Sequence, residues 1–144
     1  MKILVLSDTH SYLDNARNVL KRIGNKMDMV LHLGDHDEDA LELMKEFPSL
    51  PFHYVKGNND YLMDTPSQKM VRAGGKNLLL THGHKQRVHW NPDTICYWAE
   101  EQGRISFCSA IPICLSGMMG AGSLCLIPAA FLFPAVAVCL LSVF

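Results

Sequence analysis

The stretch KILVLSDTH, residues 2–10, decides the reading of the fold. Its unbroken apolar run, Ile3 to Leu6, gives way to Ser7, Asp8 and His10. An apolar run of strand length that ends in polar residues reads as a buried strand whose carboxyl end carries a loop. The pattern returns in MDMVLHLGD, residues 27–35, and in PFHYVKGNND, residues 51–60. Between the first two runs, Leu13, Ala16, Val19, Leu20 and Ile23 recur at helical spacing, and Gly24 supplies a stop. DEDALELMKEF, residues 37–47, is helical again and is closed by Pro48. QKMVRAGGKNLLLTHGH, residues 68–84, predicts a hairpin around Gly74 and Gly75 with its second strand ending at Thr81. NPDTICYWAEEQ, residues 91–102, offers Asn91 as N-cap and Pro92 at the first helical position, and another strand should follow. Strands alternating with helices predict an α/β domain without internal repeats.

The length, 144 residues, predicts one domain, but two compositions meet near Gly103. Residues 1–103 are mixed and charged. From Ile105 to Phe144 there is no Asp, Glu, Lys, Arg or His. The net charge of −1 gives no nucleic-acid patch and no attraction to an anionic membrane. MKILVLSD is too short an apolar run for a signal peptide. Cys108, Cys114, Cys125 and Cys139 lie in the uncharged tail, in neither CxxC nor disulfide-framework spacing. Cys96 alone belongs to the charged part, which suits a reducing compartment, the cytoplasm.

Four polar clusters fall at strand ends: SDTH with Asp8 and His10, LGDHDED with Asp35, GNND with Asn58, Asn59 and Asp60, and THGH with His82 and His84. Open α/β sheets bind ligands at those ends. Oxygen and imidazole donors without thiolate suit Mn²⁺, Fe²⁺, Zn²⁺ or Mg²⁺. In DxH the two ligands, two apart on a strand end, would face the same side. Gly34 and Gly57 would let the backbone turn where a side chain crowds a metal. Asp35 could bridge two cations, and Asn58 offers a neutral carbonyl. Taken singly, each cluster has a plainer reading. Asp8 could cap the first helix, DEDA could be a solvated helix start, and GNND could be only a turn.

Together and in this order, DxH, GD, GN and H resemble the calcineurin-like metallophosphoesterases, and most of all their small prokaryotic phosphodiesterases. The match covers residues 1–103. It implies an αββα fold, two packed β-sheets flanked by helices, here truncated in its C-terminal part. It implies phosphodiester hydrolysis by a hydroxide that two metals activate. Mn²⁺ is the first expectation for those metals, with Ni²⁺, Fe²⁺, Zn²⁺ and Mg²⁺ as alternatives. Asp8 and His10 would hold one metal, Asp35 both, and Asn58 and His82 the second. Asn59 stands where many relatives place a histidine that serves the leaving group. His84 would line the site, and His32, His36 and His53 are structural. The partner implied is a small phosphodiester substrate.

The family's last element, GHxH, is missing, and no histidine follows His89. One lost base near Gly103–Arg104 accounts for this. Arg104 and Ile105 written as CGG ATA become GCG GAT, Ala-Asp, in the shifted frame. Carried on through SFCSAIPICL with permitted third bases, the frame yields IVLFGHTHMP, and Ala110 to Ile113 become Gly-His-Thr-His. Further on, IPAAFLFPA, Ile127 to Ala135, can become NPGSISLPR, which is similar to a family segment. Residues 104–144 are therefore expected to be an out-of-frame translation that builds no packed continuation of the sheet. It could arise from a sequencing error or a pseudogene. The competing readings are a selected membrane anchor and a non-catalytic binding protein. In either case residues 105–144 would mediate membrane contact or self-association. Glycines and prolines break up the tail and weaken the anchor reading.

Overall fold

The computed structural model describes residues 1–61 and 64–85, the helical residues Thr94, Tyr97 and Glu101, and three strands farther along. The chain runs β1 (Lys2–Ser7), α1 (Leu13–Ile23), β2 (Met29–His32), α2 (Asp37–Glu46), β3 (Phe52–Tyr54), β4 (Gln68–Ala73), β5 (Lys76–Thr81), β6 (Ser106–Ser109), β7 (Cys125–Leu126) and β8 (Ala137–Ser142). One four-stranded sheet has the order β3-β2-β1-β8, and the other β4-β5-β6-β7.

The apolar runs are buried on both faces, and alternation along β1 shows how. Ile3 and Val5, with Met29 and Leu31 of β2, cluster with Val71, Ala73, Leu78 and Leu80 of the second sheet. Leu4 and Leu6, with Val30 and Phe52, cluster with Leu13, Ala16 and Leu20 of α1 and Leu43 of α2. The first sheet thus packs on the second sheet with one face and on two helices with the other. Each fully buried Leu or Ile stabilises this stack by about 1.5–3 kcal/mol. Arg17 of α1 joins the helices by bonding Glu46 of α2 through Nε at 2.9 Å and by pairing with Glu42.

The first hairpin turns on Gly74 (φ 56°) and Gly75 (φ 79°). Two consecutive left-handed residues make the mirror-image turn that matches strand twist, so the Gly-Gly pair sets the register Ala73↔Lys76. Strands β1, β2 and β3 run parallel, with Leu6 beside His32 and His32 beside Tyr54. Their carboxyl ends therefore open on the same side, and the loops after them meet there.

Two expectations need correction. The tail does contribute strands: β6 pairs parallel with β5, with Thr81 beside Ser109, and β8 pairs antiparallel with β1 along its whole length. Sheet pairing is made by the backbone, so an open edge accepts any uncharged, β-compatible segment, even one without alternation. The start of α2 is also not solvated, because Asp37 and Asp39 are buried. The helix expected over residues 91–102 is represented only by Thr94, Tyr97 and Glu101. Asn91, Pro92, Cys96 and Ala110 to Ile113 lie outside the described residues.

Candidate metal centre

The site grows from loops that follow β1, β2, β3 and β5. After β1 the backbone leaves the extended region at once. Asp8, His10 and Ser11 have φ of 57°, 44° and 65°. After β2, Asp35 and His36 have φ of 58° and 69°. Left-handed backbone is costly for residues with a side chain and collects at functional sites. Asp8 and His10 therefore converge through a tight loop and not through the pleat of a strand, as their spacing had suggested. Asp8 does not cap α1, whose first turn has no side-chain cap. Its own amide donates to the Gly34 carbonyl at 3.0 Å and so holds the first loop to the second.

Gly34 and Gly57 are required by close approach. Gly34 has φ 102°, and a Cβ there would run into the backbone of Gly57. A Cβ on Gly57 would run into Asp35. The two loops interlock as bare backbone, which leaves the Asp35 carboxylate at the centre.

Around Asp35 the candidate ligands come together. His10 Nε2 lies 3.7 Å from Asp35 Oδ2, and His82 Nε2 lies 3.7 Å from Asp35 Oδ1. His82 Nε2 is also 3.1 Å from Asn58 Oδ1. Ligand atoms of Asp8, His10 and Asp35 all lie within 4.8 Å of one another. His82 reaches the site from the second sheet, and its Nδ1–H donates to the Leu33 carbonyl at 2.8 Å. Through Nε2 the same ring meets Asn58 Oδ1 at hydrogen-bond distance and stands beside the Asp35 carboxylate, so imidazole, amide and carboxylate groups converge, a donor set that suits a cation. Burial pushes the Asp8 carboxyl above its ordinary range, although the Ser7 hydroxyl bond and the neighbouring His82 pull it down. A half-buried carboxylate of that kind is satisfied by a bound positive charge. The residues present thus suit a divalent metal.

The remaining residues sort differently. Asn59 donates its backbone N–H to Asp35 Oδ1 at 3.1 Å and its Nδ2–H to Asp35 Oδ2 at 2.7 Å, so it clamps the central carboxylate. The His84 ring lies 5.3 Å from that of His82. Burial holds His84 below the usual imidazole range, and its Nδ1 has no hydrogen-bond partner among the described residues. His32 is wholly buried and lowered to about 4 by that burial. It accepts from the Gly34 N–H at Nδ1 and is 3.1 Å through Nε2 from Thr9 Oγ1, a neutral support beneath both loops. His36 packs edge-on against His10 and meets the Ser11 hydroxyl at 3.2 Å.

Sequence reasoning passed over Asp60 as part of a turn. Its Oδ2 accepts from Gly57 N–H at 2.6 Å and Asp35 N–H at 3.0 Å. Its Oδ1 accepts from His36 N–H at 2.6 Å and Asp37 N–H at 3.0 Å. Burial would raise this carboxyl, but the four amides outweigh it and hold it below the ordinary range. The one signal in the sequence was an acid directly after two asparagines in a glycine turn.

Residues 1–108 match the calcineurin-like phosphoesterase superfamily domain. The chain belongs to that superfamily. As a member it carries the fold of metal-dependent phosphoesterases, and its relatives agree. The "Probable metallophosphoesterase YsnB" of Bacillus subtilis is 32% identical over 109 residues, 75% of this chain and 62% of that protein. A phosphodiesterase of Methanocaldococcus jannaschii is 30% identical over 105 residues, 61% of this chain and 62% of that protein. The chain thus spans about three-fifths of the length of these curated relatives. A predicted phosphoesterase of Streptococcus pneumoniae superposes with TM-score 0.58 at 27% identity, over 74% of this chain and 59% of that one. Vps29 of Entamoeba histolytica, crystallised with Zn²⁺, shares the fold with TM-score 0.59 at 19% identity, over 74% and 62% of the two chains. Among the described residues no helix is long and apolar enough to cross a membrane.

Proposed function

We propose that this phosphoesterase fold is built to hydrolyse small phosphodiesters with two divalent cations, Mn²⁺ foremost, and that the 144-residue chain is impaired in doing so. One observation carries the reading: Asp35 lies 3.7 Å from His10 on one side and 3.7 Å from His82 on the other, the place of a shared ligand. Asp8, His10 and Asp35 would hold one cation, and Asp35, Asn58 and His82 the other. When bound, such a pair supplies Lewis acidity to the phosphate and to the attacking water. The chain's own residues orient that chemistry. Asn59 fixes the central carboxylate, Leu33 fixes the His82 tautomer, and His84 lies beside them as a wall of the substrate side. Asn59 cannot donate a proton near neutral pH, so it gives the leaving group no acid help. The name phosphodiesterase on the archaeal relative supports the reaction class, and the Zn²⁺ with which Vps29 was crystallised supports a metal on this fold. The net charge of −1 favours a small substrate over a nucleic acid. A single cysteine in the charged part favours the cytoplasm.

The impairment follows from the tail. Ser109 is in register with Thr81, the residue before His82, and Ala110, whose codon would open the restored Gly-His-Thr-His, is the next residue in the sequence. The family match ends at residue 108, within the first residues of the uncharged tail. Without GHxH each cation lacks one imidazole. The test compares hydrolysis of bis-p-nitrophenyl phosphate with Mn²⁺ by this chain and by a version with one base inserted at codons 103–104. We expect the restored version to be faster by at least a factor of about 100, and its Asp35→Ala variant to be inert. Equal rates would refute the frameshift and the need for GHxH. A restored version inert with every divalent metal would refute the enzymatic reading.

A further inference from the structure

We infer that Asp60 is the positioning residue that sets the candidate metal loops against each other before any cation arrives. The inference rests on the proposed metal site but reaches a residue outside it. Asp60 touches no candidate ligand side chain in the contacts above. Its carboxylate instead gathers four backbone N–H groups from two loops, at 2.6 to 3.0 Å: those of Asp35, His36 and Asp37 after β2, and that of Gly57 after β3. Successive amides that converge on one anion form a nest, a concavity that binds negative charge. Here the anion is supplied by the chain itself, three residues beyond Gly57.

The arrangement answers a question raised by the backbone. Asp35 and His36 are both left-handed, at φ 58° and 69°, and neither is glycine. Such a turn persists only where its surroundings over-determine it. Asp60 holds three consecutive amides of this turn, and the interlock of Gly34 with Gly57 fixes its depth. Because Asn58 and Asn59 lie between Gly57 and Asp60, the same carboxylate fixes where Asn58 stands and where Asn59 meets Asp35. A buried carboxylate can do this because charge-assisted bonds to amides are about twice as strong as neutral ones. An asparagine cannot, because its NH₂ group would face two amide donors.

The test uses the 144-residue chain and two readouts. Mn²⁺ affinity is measured by electron paramagnetic resonance for the wild type, Asp60→Asn and Asp60→Glu. Amide hydrogen exchange is measured on the metal-free wild type. We expect Asp60→Asn to bind Mn²⁺ about 10–100-fold more weakly, the scale on which partners behind a ligand act. Asp60→Glu keeps both acceptor oxygens and should bind more tightly than Asp60→Asn. The amides of Asp35, His36, Asp37 and Gly57 should exchange in the metal-free wild type as slowly as those of β2. Wild-type affinity in Asp60→Asn, or equal affinity in the two variants, would overturn the inference. Should Asp60→Asn not fold, exchange decides, and fast exchange at the four amides of the wild type would overturn it. A wild type that binds no Mn²⁺ sinks the metal reading instead, and exchange again decides the role of Asp60.

Discussion

The two halves of the candidate centre are built to different standards. Asp35 and His82 expose only 6% and 3% of their side chains, whereas His10 exposes 41%. The buried half is fixed from behind: Leu33 holds His82, Asn59 holds Asp35, and Asp60 holds the turn beneath. The outer half has Ser7 on Asp8 at 2.5 Å and the ring of His36 beside His10. Ligands held by hydrogen bonds lose little freedom when a cation binds, and ligands at the surface lose more. The difference teaches that the two positions should not fill alike. The buried half should take its cation first.

The most severe way to break this comparison is Asp35→Ala, which removes the one side chain common to both halves. Saturable Mn²⁺ binding should disappear, a loss beyond the roughly 100-fold that an outer partner costs. Calorimetric titration checks it, and a residual tight site would mean that one half stands without Asp35. Gly34→Ala attacks the interlock. Left-handed strain and overpacking together should cost about 2–5 kcal/mol in urea unfolding. Gly75→Ala is the contrast: its φ is also positive, but nothing lies near an added Cβ, so the loss should stay near 1 kcal/mol.

His32 sharpens the comparison through pH. Its native pKa of about 4 lies below the ordinary 6.5, so the unfolded chain takes up a proton that the folded one refuses. Its contribution to stability is complete above about pH 6.5 and is lost as pH falls through 4. At about 1.4 kcal/mol per unit the loss is ~3 kcal/mol. Urea unfolding of wild type and His32→Gln from pH 7 to pH 4 should show their difference shrink by that amount. A constant difference would put the charge elsewhere. The finest test sets His82→Ala against His10→Ala. The first should weaken Mn²⁺ binding about tenfold more than the second, and equal losses would mean that burial confers no advantage.

How much of this could be read in the sequence depends on the range of the interaction. Strands β1, β2 and β5 were legible because apolar runs end abruptly in polar residues. The hairpin was legible because Gly74 and Gly75 are the residues its turn requires. The ligand candidates were legible as residue types at strand ends. Asp60 was not, because three of its four partners are backbone amides more than twenty residues away, which no side-chain pattern records. The left-handed turns at Asp8 and Asp35 were hidden for the same reason: they are imposed by neighbours, against local preference. The burial of Asp37 and Asp39 contradicts the ordinary behaviour of a helix start, and the loop before α1 meets one of them, as the Ser11 amide on Asp39 shows. A strand was expected after residues 91–102, where β6 lies, but β8 was missed because pairing needs only a vacant ladder, and composition does not reveal vacancies.

The seating of β8 has a consequence for the solubility of the whole chain. Its six residues pair with every residue of β1, from Lys2 with Ser142 to Ser7 with Ala137. Without it, β1 would be an edge strand, with unpaired N–H and C=O groups running beside Ile3, Leu4, Val5 and Leu6. A flat apolar edge of that kind recruits further strands and seeds aggregation. A stop anywhere between His84 and Ala137 would keep the candidate ligands in the chain and still yield a chain that sticks to its own copies.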